Sequence, residues 1–396
     1  MRLLLISRCP PHPVHLGDRL IIHHLSREFA QRGHTLDLLA FYDRPTDPDE
    51  VTVYRDRFRE VLLIPAAQRG GLSYLRRLLL PGALFPTQAQ AAWSAQMWRS
   101  IEARLPQVDR VMCFGGIQVY EYQTLVKRKP NLIVPYESYS LFLKRALGQE
   151  VSLQGRIRVG LMMTLARAYE RRMFRGFDRV SVLTDVDAAA LRNLEPSLTL
   201  TVIPNGIDLR DFPPTRFEIP KTTPQLIFVG NYEYAPNADA ALFLAHEIFP
   251  LVQAQIPHVQ LLLVGNAPPD SLQALNRPGL IVTGRVPEVY PLLADASVFV
   301  CPLRYGAGIK NKVLEGMAAG LPLVVTPLSA DGIGLIEGVH AHFGTDAPQL
   351  AKGVIALLRS PEQARRMGQS NRALIEAKFT WGAVADQYLQ ALGAED

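Results

Sequence analysis

Short apolar runs alternate along the chain with longer amphipathic stretches. In the first half the runs are 2–7 (RLLLIS), 34–41, 61–64, 110–114, 131–135 and 179–183. In the second half they are 200–203, 225–230 (QLIFVG), 259–264, 279–283, 297–301 and 322–326. Most are continuous Val/Ile/Leu stretches, the mark of strands covered on both faces. Between them, residues 18–32 place Ile22, Leu25 and Phe29 at helical spacing, and 237–254 and 312–319 behave likewise. Strand and helix alternate through both halves, which predicts an α/β protein of two Rossmann-like, doubly wound parallel-sheet units facing across a cleft.

The boundary falls in "TVIPNGIDLRDFPPTRFEIPKTTP" (201–224), a proline-rich stretch with little periodicity. The predicted division is 1–203 for the first unit and 204–379 for the second, with a terminal helix over 380–396 packing back on the first. Ligands of open parallel sheets bind beyond the carboxyl ends of the strands, so the segments after each strand are where chemistry is expected.

Composition narrows the class. The 396 residues are 48% hydrophobic and 20% charged, ordinary for a globular chain, and no apolar run is long enough to span a bilayer. Three scattered cysteines (Cys9, Cys113, Cys301) fit neither a disulfide framework nor a zinc site, and a cytoplasmic protein is expected. Charge is lopsided: residues 1–205 carry 28 Lys and Arg against 19 Asp and Glu, residues 206–396 carry 14 against 18. The basic half suits an anionic partner, either a substrate or the inner face of a membrane touched peripherally. Segments 74–85 (YLRRLLLPGALF) and 156–175, where arginines surround an apolar stripe, have that interfacial character. A nucleic-acid partner is not expected, because no basic stretch is interleaved with stacking aromatics.

Candidate chemistry then follows strand by strand. Gly17 and Asp18 open the helix after the first strand, and Arg19 follows; helix-start amides there suit an anion. Glu137 follows the run at 131–135, placed as a general base or an acceptor-hydroxyl contact. Gly230 and Asn231 end the run at 225–230, with Asn237 expected as the next helix cap. Gly265 holds the equivalent place after 259–264, and the backbone at Arg285-Val286 is placed to read a nucleobase.

The densest signal is "CPLRYGAGIKNKVLEGMAAGLPLVVT" (301–326). Arg304, Lys310 and Lys312, the turn Gly306-Ala307-Gly308 and a helix start near Asn311 make a diphosphate cradle. Glu315 shares a helix face with Lys312 one turn deeper, suited to a ribose diol. Neither a Walker loop nor a dinucleotide fingerprint occurs, which argues against a P-loop enzyme or a dehydrogenase.

This stretch, with "IPNGID" (203–208), "FVGNYEYAPNADAA" (228–241), "VTGRVPEV" (282–289) and "FTW" (379–381), resembles family-4-type (group 1) glycosyltransferases of the GT-B fold. The N-terminal "PPHPVHLGDRLIIHHLSREFAQRGHTLDLLAF" is similar to an exopolysaccharide- or exosortase-associated subgroup. The resemblance implies retaining, metal-independent transfer of a sugar from a nucleotide diphosphate sugar to a glycan or lipid-linked acceptor, in cell-surface polysaccharide or glycolipid synthesis, with no cofactor. It implies that Glu315 holds the ribose and that Arg304 and Lys312, with Lys310, neutralise the diphosphate. Gly17 would admit the donor phosphates or the acceptor, while Glu137, Asp18 and Arg19 lie on the acceptor side. The common pattern has two glutamates with seven residues between them; the first position is Ala307 here, and the Gly308-Ile309 backbone is expected to take its place. Another GT-B enzyme, an epimerase or phosphorylase, and a non-catalytic nucleotide-sugar-binding protein are the alternatives.

Overall fold

The computed structural model describes residues 1–14, 17–66, 94–115, 117–149, 152–213, 223–306 and 308–393, with the side chains of residues 17, 18, 117, 118 and 149 outside the description. The chain forms two compact units, Met1–Gly206 with Trp381–Asp396, and Ile207–Thr380.

The first unit is built on a seven-stranded parallel sheet. In chain order its strands are β1 (Arg2–Ser7), β2 (Thr35–Tyr42), β3 (Glu60–Pro65), β4 (Arg110–Phe114), β5 (Asn131–Tyr136), β6 (Arg179–Val182) and β7 (Leu200–Val202). Their spatial order is β3-β2-β1-β4-β5-β6-β7. β1 buries every residue after Arg2 because both of its faces are covered. Helix α1 (Gly17–Gln31) turns Ile21, Ile22, Leu25 and Phe29 inward. The next helices of this unit are α2 (Ala95–Arg104), α3 (Tyr139–Gln149), α4 (Leu153–Phe174) and α5 (Asp185–Leu194). The run at 200–203, at the end of the predicted first unit, pairs with β6 as the half-buried edge of this first sheet.

The second unit has a six-stranded parallel sheet in the order β10-β9-β8-β11-β12-β13. The strands are β8 (Gln225–Val229), β9 (Gln260–Val264), β10 (Leu280–Gly284), β11 (Val298–Cys301), β12 (Leu323–Val325) and β13 (Ala341–Phe343). β13 was not expected, since "AHF" is too short and too polar for the pattern to register. The predicted helix over 237–254 divides into α6 (Ala235–Phe243), one π turn at Leu244–Ile248 and α7 (Phe249–Gln255). Pro250 has no amide to give the carbonyl of residue 246, and the wider turn absorbs the missing bond. The longer helices that follow in this unit are α8 (Asn311–Ala318), α9 (Ala347–Arg359) and α10 (Pro361–Lys378).

The last helix, α11 (Trp381–Ala391), belongs to the first unit and packs on α1. The Trp381 indole stacks on the buried His24 ring at 4.6 Å and 7°, and Arg32 reaches both Asp386 and the Gly382 carbonyl. Gly206 lies directly beneath Trp381: a Cβ there would stand 2.6 Å from the indole ring.

Both sheets reverse strand order next to their first strand, between β1 and β4 and between β8 and β11. At such a switch point neighbouring crossovers leave in opposite directions and open a crevice beyond the strand ends.

Candidate functional site

The carboxyl ends of β8, β9 and β10 are closed by three glycines in step. The Gly230 amide donates to the Val264 carbonyl at 2.9 Å, and the Gly265 amide to the Gly284 carbonyl at 3.2 Å. Gly265 has φ +153°, and a Cβ there would stand 1.7 Å from the Gly230 carbonyl oxygen. Only glycine lets these two strand ends approach so closely. Arg285, which follows, is exposed and Val286 half-buried.

On the other side of the switch point, β11 delivers Cys301 to a segment pinned from beneath. The Ser329 hydroxyl donates to the Cys301 carbonyl and the Thr326 hydroxyl to that of Leu303, both at 2.7 Å. The chain then rises through Gly306 (φ +127°) and Gly308 (φ +69°) into α8. Ala307 lies outside the described residues, so the unusual alanine of the sequence reading receives no structural account. Lys310 occupies the N-cap position of α8. Its side chain carries no acceptor with which to cap the amides, and its ammonium donates to the Gly308 carbonyl. Gly308, Ile309 and Lys310 are all buried.

Lys312, in the first turn of α8, donates from Nζ to Asn237 Oδ1 at 2.9 Å, and Asn237 Nδ2 donates to the Asn231 carbonyl at 2.7 Å. The two segments flanking the switch point are thereby joined side chain to side chain. Asn237 sits inside α6 rather than at its cap, which is Tyr234. Spacing alone did not reveal its bridging role, because Lys312 lies 75 residues away in sequence. Burial pushes the Lys312 ammonium below its ordinary pKa, opposed by the charge of nearby Glu315. The same burial raises the Glu315 carboxyl, opposed by Lys312. A cation and an acid so enclosed gain from a polar ligand that supplies the missing solvation.

Arg304, expected against a diphosphate, is paired with a carboxylate in the free protein. Its guanidinium grips Asp239 of α6 through Nε at 3.0 Å and Nη2 at 2.5 Å, and lies over the Phe243 ring at 4.7 Å. A carboxylate already satisfies this cation, and the pair braces the loop after β11 against α6. Asp239 offered no sign of that in the sequence beyond its charge.

In the first unit, Glu137 is half-buried after β5, preceded by Tyr136 in a left-handed conformation with φ +72°. Two buried carboxylates hold the turn that follows. Asp187 accepts from the Ser138 amide at 2.9 Å, and Glu170 of α4 accepts from the Tyr139 and Ser140 amides at 2.7 and 3.3 Å. Burial lifts the Glu170 carboxyl to about 7, against the pull of these donors. A non-glycine residue in this conformation costs of order 1–3 kcal/mol and persists where the surroundings over-determine it.

Gly17 and Asp18 begin α1. Arg19 is turned inward: its guanidinium binds both oxygens of buried Asp47, at 2.6 and 3.0 Å, and reaches the His12 carbonyl. This ion pair, rather than the solvated or acceptor-facing side chain expected, is where its charge is used.

The site in the second unit falls within a recognisable family segment. Residues 223–360 match the model of the family described as "Glycosyl transferases group 1". The glycogen synthase of Mycobacterium tuberculosis is 25% identical over 417 aligned positions, covering 97% of this chain and 92% of that protein. The second unit is thus similar to group 1 glycosyltransferases, and the whole chain to a glycogen synthase. The fold agrees. Sucrose-phosphate synthase from Thermosynechococcus elongatus superposes with a TM-score of 0.71 at 21% identity, each chain fully covered. Anabaena HepE, solved in complex with UDP, gives 0.67 at 14% identity, again over both whole chains. The chain is thus α/β with two parallel sheets, like these GT-B structural neighbours.

Proposed function

We propose that the protein is a retaining, metal-independent glycosyltransferase that moves a sugar from a nucleotide diphosphate sugar to an acceptor hydroxyl. One observation carries the reading: a desolvated lysine, Lys312, stands in the first turn of α8 at the sheet's switch point, tied to Asn237 and beside Glu315. The diphosphate meets the α8 amides and Lys312, with Lys310 behind them. Glu315 takes the ribose hydroxyls, and the backbone at Arg285-Val286 borders the base. Gly230, Asn231 and Gly265 admit the donor closely, and Gly308-Ile309 supplies amides to the sugar. Arg304 braces this wall.

In the step itself, the bond from the anomeric carbon to the diphosphate oxygen breaks, and the acceptor oxygen bonds to the same face of that carbon. The acceptor proton passes to the departing phosphate oxygen. Fixed positive charge that matches the developing anion lowers the barrier. UDP bound to the structural neighbour HepE supports a nucleoside diphosphate leaving group. The first unit, with Glu137 on its braced turn, takes a glycan or lipid-linked acceptor, and its basic surface faces an anionic membrane. The product belongs to cell-surface polysaccharide or glycolipid synthesis.

The test is product analysis with radiolabelled UDP-, GDP- and ADP-sugars and acceptor panels, with the anomer assigned by NMR. A glycoside of inverted configuration refutes the retaining step. An epimer or a sugar phosphate points to a different GT-B enzyme, and donor binding without product across all acceptors points to a binding protein, which the alanine at 307 would suit.

A further inference from the structure

Helix α4 buries only its C-terminal half, through Ala166, Tyr169, Glu170, Met173 and Phe174. Its first three turns carry a different pattern. Leu153, Ile157, Leu161 and Leu165 recur every fourth residue and are 75%, 65%, 62% and 44% exposed. At about 100° per residue this spacing advances about 40° at each step, so the four side chains form one apolar stripe about 18 Å long, on the side away from the buried residues. Large exposed aliphatic groups so aligned mark a surface that something covers. Arg156, Arg158 and Arg167 flank the stripe and are exposed.

We infer that this stripe is the surface by which the first unit lies on an anionic lipid bilayer. Charge selects the occupant. Residues 139–175 contain eight Lys and Arg and only two acidic residues, Glu150 and Glu170. Glu170 is buried under α3, and Arg171 and Arg175 are held by Glu195. A second copy docked on this face would set arginines against arginines. A bilayer of anionic lipids offers what the face lacks: an apolar layer for the leucines, with headgroup phosphates at the depth of the flanking guanidiniums. Among the described residues no helix is long and apolar enough to cross a membrane, so the contact lies in the interface plane. Segment 74–85 of the same unit, outside the described residues, has the same mixture of leucine and arginine.

The inference rests on reading the first unit as the acceptor side, but binding is measured without donor or acceptor. Full-length protein is floated with vesicles of phosphatidylcholine alone and with 30% phosphatidylglycerol, at low, physiological and high salt. Wild type is expected on the anionic vesicles only, with binding that falls as salt rises. The pair Ile157→Glu, Leu161→Glu should lose at least about tenfold in partitioning, and each of Arg156→Gln and Arg158→Gln about fivefold, all with unchanged melting temperature. Equal flotation of wild type and the double variant overturns the inference, as does equal binding to neutral vesicles. A wild-type dimer that the double variant converts to monomer assigns the stripe to a second copy instead. Donor turnover on a soluble acceptor, assayed without vesicles, reports on the enzymatic reading separately.

Discussion

Replacing Lys312 by methionine keeps the aliphatic stem and removes one charge, and it should cut activity severely while changing stability little. In the free protein Lys312 is half-buried, desolvation holds its pKa down, and Asn237 Oδ1 at 2.9 Å accepts one of its protons. A base whose folded pKa is depressed costs stability at every pH below its unfolded value, so the charge is unfavourable to folding at neutral pH. Methionine removes that cost and leaves Asn237 Oδ1 without its donor, a loss of about 1 kcal/mol. The two act in opposite senses, and the melting temperature should hold within a few degrees. In the proposed donor complex the same lysine faces a diphosphate. Truncating one partner of such a pair costs about 3–5 kcal/mol, roughly 10²- to 5 × 10³-fold in kcat/KM. Calorimetric titration of UDP and steady-state release of nucleotide from the labelled donor measure both arms. A variant with kcat/KM within about threefold of wild type and an unchanged UDP affinity would refute the diphosphate assignment.

Arg304→Met should cost about 1 kcal/mol of stability through the lost Asp239 pair and ring contact, with KM for donor nearly unchanged; a collapse of donor binding would return Arg304 to the phosphates. Burial raises the Glu170 carboxyl from its ordinary 4.5 to about 7. The folded state therefore holds its proton more tightly, and stability is lost as pH rises from 4.5 through 7, by about 3 kcal/mol in all. Urea unfolding of Glu170→Gln across that range should show a flatter pH profile than wild type, and an unchanged slope would contradict the burial argument. Gly265→Ala should destabilise the second unit by about 3 kcal/mol or more, because its Cβ collides with the Gly230 carbonyl; chemical denaturation reads this directly. Turnover should survive excess EDTA, and its abolition, restored by added Mg²⁺, would end the metal-independent reading.

The sheets were legible because parallel strands covered on both faces write themselves as unbroken aliphatic runs, from Leu3–Ile6 to Leu323–Val325. The edges were not: β7 and β13 are three-residue strands with one side open, where burial places little demand on sequence. The same division holds in the site. Lys312 and Glu315 could be paired from helical spacing, whereas Asn237, Asp239 and Glu170 act across 75, 65 and 31 residues, distances over which no local period carries information. Arg304 and Arg19 show the related difficulty that an arginine beside a presumed anion site looks the same in sequence whether it meets a ligand or an aspartate.

The first unit is interrupted by the second. The chain leaves it after Gly206 and returns at Trp381, and these two residues touch, while Ile207 and Thr380 pair as a parallel bridge with the Ile207 amide on the Phe379 carbonyl at 2.6 Å. During synthesis the inserted unit is therefore complete, and able to fold, while the first still lacks the helix that covers α1. A chain stopped at residue 380 would carry a finished second unit and a first unit whose His24 and Arg32 have lost their partners on α11. Such a truncated product is a substrate for chaperones and proteases. By the same geometry, excising 207–380 and joining residue 206 to 381 with a short linker should yield a first unit that folds alone.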